Sequence, residues 1–322
     1  GSGGRGGMGL GMKIFADLLV EHGIGDGKFE FNSNHAYVIA LVNVKDNLQF
    51  ATHISDDPIY YELVWNIRPN LSLRAGKIFV PFGLNEFHHI IGGRVDELSS
   101  FLPETWTDHG LSLHHLAYDG DSLTVEYDLY VINGLAGTDG PVFGEGTGTD
   151  NNWEKGVGTR VKLDLPRNLS LVGNLYYDAW DAEGDHKIVF YGLGAELRRG
   201  FSKAPVLRRI GLRGEWARGE IQIPDSNYQS GIIDHAFARA GFYTEISSLL
   251  YEDVSFRFRT GLVNPDNTVT DEGDLWIYEP AVVYEAGKTT VLAAYQATKQ
   301  TGETHKFKDP PDMIYAKLFL RY

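Results

Sequence analysis

Apolar and polar side chains alternate at every second residue along most of this chain. Between 123 and 131 the odd-numbered positions are aliphatic or aromatic, whereas Glu126 and Asp128 occupy even-numbered ones. The same alternation recurs over 169–178 and 254–262. A period of two places successive side chains on opposite faces of a β-strand. The pattern therefore predicts strands with one apolar face and one polar or charged face.

About sixteen runs of this kind fill the chain, each close to ten residues long. We predict strands near residues 12–21, 36–45, 48–55, 60–68, 71–80, 110–118, 122–134, 157–165, 169–180, 187–199, 207–221, 235–247, 253–264, 275–286, 289–300 and 313–322. Short connections rich in Asn, Asp, Gly and Pro, such as 45–47 and 166–168, alternate with long polar ones, such as 82–109 and 136–156. Short turns at one rim and long loops at the other are typical of outer-membrane β-barrels.

The composition agrees with a barrel and excludes several other classes of protein. None of the 322 residues is cysteine, which excludes disulfides, thiolate metal sites and cysteine catalysis. The sequence has no run of about 18 apolar residues, so a transmembrane helix is excluded. A mean hydropathy of −0.23 is compatible with strands that have one polar face. The net charge of −14 argues against nucleic-acid binding, which needs a basic surface.

The last predicted strand has an unbroken apolar face that ends in an aromatic residue. Ile314, Leu318 and Tyr322 belong to this face, while Lys317 and Arg321 point the other way. Such a strand resembles the terminal strands that outer-membrane barrels present to their assembly machinery. Unpaired strand edges are not tolerated in hydrocarbon, so a spanning sheet has to close on itself. We therefore predict an all-β chain that forms a closed antiparallel transmembrane β-barrel, with short periplasmic turns and long external loops.

The barrel is expected to be a single domain over residues 12–322. The preceding residues 1–11 are glycine-rich and are interpreted as a flexible tail or a cloning remnant. A barrel of about sixteen strands is wide enough to leave an aqueous channel.

The longest connection, 82–109, combines apolar and acidic residues. A loop surrounded by water would not need its apolar side chains, which include Phe87, Ile90, Phe101 and Trp106. We therefore predict a constriction loop that folds into the lumen and packs against the barrel wall; a disordered or surface-packed acidic loop is the alternative. Its charged residues are Glu86, Arg94, Asp96, Glu97, Glu104 and Asp108.

A second candidate feature is a set of basic residues on the faces expected to line the lumen. The predicted pore-wall basic stripe consists of Arg74, Arg209, Arg213, Arg239, Arg257 and Arg259. Facing an acidic loop, this stripe would create a transverse field that orients solutes and tunes ion selectivity. The alternative is that these arginines pair with acidic residues on neighbouring strands, for example Arg213 with Glu245, and only neutralise a polar lumen.

The segment 73–84 resembles a recurrent stretch of the phosphate-selective porin family, in which R-x-G-K/R-F is followed by P-F-G-L. The matching residues are Arg74, Gly76, Lys77, Phe79, Pro81, Phe82, Gly83 and Leu84. The resemblance implies a sixteen-stranded barrel in the outer membrane, usually a homotrimer, whose constriction loop follows this segment. It does not carry phosphate specificity over, because those porins have basic clusters at the constriction and this loop has only one arginine, Arg94, among acidic residues.

The expected function is that of an outer-membrane porin, a water-filled channel for passive diffusion of small hydrophilic solutes and ions. The expected partners are these solutes, the lipid and lipopolysaccharide of the outer membrane, and further copies of the chain, with no nucleic acid. No cofactor, bound metal or enzymatic activity is expected, because no G-x-S-x-G motif occurs and the histidine pairs lack metal-ligand spacing. A channel selective for small anions or carboxylates is one alternative, and a soluble all-β ligand-binding protein is another.

Overall fold

The computed structural model describes residues 9–23, 29–32, 36–54, 60–84, 106–135, 153–200, 209–223, 235–264, 274–301 and 312–321. These residues form one antiparallel sheet of seventeen strands. The strands are β1 Gly9–Gly23, β2 Phe29–Asn32, β3 Ala36–Lys45, β4 Leu48–His53, β5 Tyr61–Arg68, β6 Leu71–Phe79, β7 Thr107–Gly120, β8 Leu123–Ile132, β9 Gly156–Leu165, β10 Leu169–Ala179, β11 Lys187–Gly200, β12 Arg209–Ile223, β13 His235–Tyr251, β14 Val254–Asn264, β15 Leu275–Ala286, β16 Thr289–Gln300 and β17 Met313–Arg321.

From β3 to β17, every strand pairs with the strand that follows it in the chain. Strand β1 has partners on both sides. It pairs with β3 and β2 along one edge, and with β17 along the other, where Phe15 is opposite Arg321. The first and last strands are therefore hydrogen-bonded to each other.

The connections alternate in length as the sequence predicts. The short ones include 46–47, 69–70, 121–122 and 252–253, and the long ones include 80–106 and 133–155. Because successive strands are antiparallel, the two kinds of connection lie at opposite ends of the sheet. The connection 201–208 is longer than the other short ones.

All sixteen predicted strands are present close to their predicted positions, and 36–45, 275–286 and 289–300 agree to the residue. Strand β2 was not predicted, and several strand boundaries differ from the prediction by one to four residues. Residues 9–11, assigned to the tail, belong to β1. The prediction missed them because the two glycines among them have no side chains that could show the alternation. Thr107–His109, assigned to the long connection, belong to β7 and pair with Phe79–Lys77.

The two faces of the sheet have opposite character. One face exposes large apolar side chains, among them Leu111, Leu175, Leu193 and Val282. The other face holds the charged residues, and several large aromatic side chains are buried on it. We call these the outer and inner face. No helix within the described residues is long and apolar enough to cross a membrane.

Glycines on the inner face accommodate the buried aromatic rings. The Tyr130 and Tyr176 rings stack with centroids 6.3 Å apart, and Tyr176 stacks on Phe190 at 5.9 Å. A Cβ atom at Gly158 would lie 2.2 Å from Cζ of Tyr130, and one at Gly156 would lie 2.4 Å from the hydroxyl of Tyr176. The rings therefore cross β9 where that strand has no side chain in the way.

Candidate functional site

The chain turns onto the inner face of the sheet directly after β6. The backbone of Gly83 and Leu84 contacts side chains of β9, β10 and β12. Strands β7 to β11 separate β6 from β12 in the sheet. The segment therefore reaches β12 across the polar inner face, which is where a constriction loop would have to begin.

Three side chains hold this segment by all four of its peptide hydrogen-bonding groups. Arg160 of β9 donates from Nε to the carbonyl of Gly83 at 2.9 Å and from Nη2 to the carbonyl of Leu84 at 3.4 Å. The Oδ1 atom of Asn174, on β10, accepts from the Gly83 N–H at 3.1 Å, and the carboxylate of Glu215, on β12, accepts from the Leu84 N–H. We call Arg160, Asn174 and Glu215 the clamp.

A second layer of contacts orients the clamp. Asp128 lies 3.2 Å from Nη1 of Arg160 and also binds Nδ1 of His114 at 2.9 Å. Tyr243 donates its hydroxyl to Oε2 of Glu215 at 2.6 Å. Each charged member of the clamp is thus held by a neighbouring strand, which limits its freedom to turn away from the segment.

Gly83 is the residue that makes the clamped conformation possible. Its φ of 82° lies in the left-handed region that favours glycine. A Cβ at this position would also lie 2.8 Å from Oε1 of Glu215. The glycine of the P-F-G-L motif is therefore required by the backbone conformation and by the close approach of Glu215.

Aromatic side chains anchor the two ends of the long connection. The rings of Phe82 and Trp106 lie 6.0 Å apart, and Trp106 meets Tyr176 edge to face at 4.7 Å. Trp106 is buried in a cluster with residues of β6, β8, β10, β11 and β12. Of the predicted apolar anchors, Trp106 packs against the inner face, whereas Phe87, Ile90 and Phe101 lie outside the described residues.

The structure describes only one of the six charged residues predicted for the constriction loop. Glu86, Arg94, Asp96, Glu97 and Glu104 lie outside the described residues. Asp108 is part of β7, is fully buried, and accepts the backbone N–H of His109 at 2.6 Å and that of Gly134 at 2.7 Å. Asp108 is therefore part of a strand, where it holds backbone groups in place and presents no exposed charge on the inner face.

Four arginines of the predicted stripe have a carboxylate partner on a neighbouring strand. Their N–O distances are 2.6 Å for Arg74 with Glu62, 3.2 Å for Arg213 with Glu196, 2.8 Å for Arg257 with Glu279, and 2.9 Å for Arg259 with Glu245. This arrangement corresponds to the charge-pairing alternative, although the partner of Arg213 is Glu196 and not Glu245. Each of these four pairs carries no net charge, so these arginines do not form a continuous basic stripe.

The remaining two stripe residues differ from these four. The side chain of Arg239 lies outside the described part of the structure. Arg209 is exposed at the start of β12, and it has no carboxylate partner among the described residues. Arg209 lines a cavity of about 800 Å³ between Leu84 and the short turn 166–168. The charged residues that line this cavity are Lys162, Asp164, Glu196, Arg198 and Arg209.

The connection 180–186, at the same end of the sheet as the long connections, is held by hydrogen bonds within itself. The backbone N–H of His186 donates to Oδ1 of Asp181 at 2.8 Å, and Nδ1 of the His186 ring lies 2.9 Å from Oδ2 of Asp181. Burial alone would raise the pKa of Asp181, but the hydrogen bonds from His186 outweigh it and hold the pKa of this carboxyl below its usual value. No group of three or more His, Asp or Glu side chains within the described residues is placed to hold a metal ion.

The clamp was missed by reasoning from sequence. Alternation places Arg160, Asn174 and Glu215 on polar strand faces, but it places many other residues there as well. The sequence of these strands does not indicate that they bind a segment far away in the chain. The P-F-G-L motif was the available signal, because its glycine marks an unusual backbone conformation.

Comparison with known proteins finds similarity in fold only. No protein-family model matches the chain, and no curated protein matches its sequence. The anion-selective porin from Comamonas acidovorans is 9% identical with a TM-score of 0.64, over 98% of this chain and 99% of that one. The outer membrane channel DcaP of Acinetobacter baumannii is 8% identical with a TM-score of 0.65, over 98% of each chain. The trimer form of OmpT, an outer membrane protein of Vibrio cholerae, is 11% identical with a TM-score of 0.61, over 98% and 99%. This chain therefore has the fold of outer-membrane porins and channels.

Proposed function

We propose that this chain is a bacterial outer-membrane porin through which small hydrophilic solutes and ions diffuse passively. The sheet closes into a barrel through the pairing of β1 with β17, and β2 and β3 together occupy one strand position beside β1, which makes sixteen positions in all. The chain from β1 onward is a single barrel domain, and the connection 80–106 narrows its lumen.

The observation that carries this proposal is the clamped segment on the inner face. A segment held by β9, β10 and β12 on the polar side of the sheet occupies space inside a closed barrel. Ion pairs line the same side, and ionic side chains are stable there only with partners or water. A polar interior with an inward-folded segment is the architecture of a size-limiting channel.

The outer face argues against a soluble all-β binding protein. Leu111, Leu193 and Ile314 each expose more than half of their surface. Large apolar side chains are exposed on strand after strand of this face, which is more than a monomeric soluble protein usually exposes. In a bilayer the same face is matched to the hydrocarbon, and lipid and lipopolysaccharide are its partners.

Two finer features belong to the same proposal. The segment Arg74–Leu84 supports a relationship to the phosphate-selective porins, since its Gly83 occupies the constrained position described above. A homotrimer is supported by the trimer form of the OmpT protein with the same fold. We propose a channel without enzymatic activity.

The test is single-channel recording of the purified chain in a planar lipid bilayer. We expect stepwise openings of uniform size, and the protein should require detergent for extraction. Replacing Arg160 with Gln removes the donors to both carbonyls of the segment, each worth about 1.5–3 kcal/mol when the donor is charged. The Arg160→Gln channel should therefore have a larger and noisier open current than the wild type.

Arg167→Gln is the matched control, because it removes a charge of the same kind from the exposed turn 166–168. It should leave the current unchanged. Absence of stepwise openings in the wild type would refute the channel. If Arg160→Gln and Arg167→Gln gave the same current as the wild type, the clamp would have no role in setting the pore size.

A further inference from the structure

The cavity lined by Arg209 lies between the clamped segment and the short-connection end of the barrel. Leu84 lines it at one end, and Asn168 of the turn 166–168 and Gly200 at the end of β11 line the other. Its volume of about 800 Å³ is in the range of small-molecule sites. This cavity lies next to the constriction, and we call it the vestibule.

The two carboxylates of the vestibule are already occupied. Asp164 accepts from Lys162 at 2.7 Å and from the hydroxyl of Ser170 at 2.5 Å. Glu196 accepts from Arg198 at 2.7 Å and from Arg213 at 3.2 Å. Each carboxylate therefore has two internal donors, and neither is left as an isolated negative charge that would attract a cation.

The arginines of the vestibule, by contrast, keep free donors. Arg198 uses only Nε for Glu196, and 64% of its side chain remains exposed. Its two terminal amino groups bond to no described residue. Arg209 has no carboxylate partner in the described part of the chain. Counting the described residues, the vestibule therefore offers free hydrogen-bond donors on Arg198 and one arginine, Arg209, whose charge has no carboxylate partner.

The sheet register places these two arginines side by side. Arg198 is opposite Gly211 and Arg209 is opposite Gly200, so the two guanidinium groups belong to diagonal positions of β11 and β12. Diagonal neighbours on one face are separated by roughly 7–8 Å. Glycine at both opposing positions leaves no side chain between them. A small ligand with two anionic oxygens fits such a pair, since guanidinium groups bind carboxylate and phosphate through two parallel hydrogen bonds.

We propose that the vestibule is a binding site for small oxyanions, in which Arg198 and Arg209 bind the ligand beside the constriction. This inference rests on the proposed channel function and names a solute class for it. The site attracts carboxylate or phosphate groups although the whole chain has a net charge of −14, because local uncompensated charge acts within about 10 Å at moderate salt.

The test measures block of the KCl current by two anions, succinate and inorganic phosphate, each added at increasing concentration. We expect at least one of them to reduce the wild-type current at millimolar concentration. In the double variant Arg198→Gln, Arg209→Gln, the half-blocking concentration should rise about tenfold, as expected when charged hydrogen bonds are lost. Block by succinate alone identifies a carboxylate site, and block by phosphate alone a phosphate site.

Arg199→Gln is the control. Arg199 is adjacent on β11, so alternation places it on the outer face at the same depth. This variant should be blocked like the wild type. A KCl current that neither anion reduces, or that they reduce equally in the double variant and in Arg199→Gln, would overturn the oxyanion site while leaving the channel intact. Absence of any KCl current would instead refute the proposed function.

Discussion

Replacing Gly83 with Ala tests whether the clamp sets the constriction. A residue with a Cβ in the left-handed region costs about 1–2 kcal/mol. At Gly83 the new Cβ would also lie 2.8 Å from Oε1 of Glu215 and displace that carboxylate from the Leu84 N–H. Losing a hydrogen bond to a charged group costs a further 1.5–3 kcal/mol or so. The free energy of unfolding should therefore fall by about 2.5–5 kcal/mol, the sum of these two costs.

Gly287 provides a control for the backbone cost. Its φ of 59° is also left-handed, and a Cβ there would meet no atom within 4 Å. Gly287→Ala should therefore lose only about 1–2 kcal/mol. The unfolding free energies come from guanidinium titrations in detergent, followed by tryptophan fluorescence. Open-channel noise in bilayers gives the functional comparison.

The two variants should differ in function as well as in stability. Gly83→Ala should cost about 1.5–3 kcal/mol more than Gly287→Ala, because only Gly83→Ala loses the hydrogen bond to Glu215. The fraction of channels in which the segment has left the clamp should therefore rise roughly ten- to a hundredfold. Only Gly83→Ala should therefore increase the open-channel noise. Equal stability and equal noise in the two variants would refute the reasoning that Glu215 and the segment are coupled.

Two pairs of substitutions test the packing of the inner face and the contact of the outer face with lipid. Gly158→Ala, which would place a Cβ 2.2 Å from Tyr130, should cost about 1–3 kcal/mol by overpacking. Gly173→Ala, with its nearest contact at 3.8 Å, is the control and should be close to neutral; equal unfolding midpoints for the two variants would contradict the requirement for glycine beneath the Tyr130 ring. Leu193→Arg, at the middle of β11 and 65% exposed, should cost about 2–4 kcal/mol in lipid vesicles. Ile314→Arg, near a strand end, should cost about 1 kcal/mol or less, and a result without this depth dependence would argue against a spanning sheet.

Strand positions were predictable because each strand carries its own pattern. β15 alternates between outward Trp276 and Tyr278 and inward Ile277 and Glu279, and its bounds agree with the prediction. Where glycine removes the pattern, as at the start of β1, prediction fails. The β-period also explains why faces were assigned correctly: a strand with one polar and one apolar face has only one stable orientation between water and lipid.

Cross-strand ion pairs were predictable in principle from the tight turns. The turn 252–253 fixes the register of β13 and β14 and places Arg259 opposite Glu245. The choice of Glu196 over Glu245 by Arg213 was not predictable, because both lie opposite Arg213 on its two neighbouring strands. Side-chain competition decides such cases, and the alternation pattern contains no information about it.

The clamp was beyond local prediction for a different reason. Gly83 and Glu215 are brought together only by the curvature of the sheet between β6 and β12. Asp108 likewise accepts from a residue outside its own strand, Gly134 after β8, in addition to the adjacent His109. These contacts depend on the tertiary arrangement, which a pattern of period two does not determine.

The pairing of β1 with β17 has a consequence for the order of assembly. The residues that meet, such as Leu18 and Leu318, belong to opposite ends of the chain. Strand β1 therefore has to wait until β17 is in place before the backbone groups along this edge are hydrogen-bonded. Contacts between such distant residues form slowly, because the intervening chain has to be ordered first. During that interval two open edges can pair with other chains. This protein consequently needs protection from aggregation until the final strand pairing has formed.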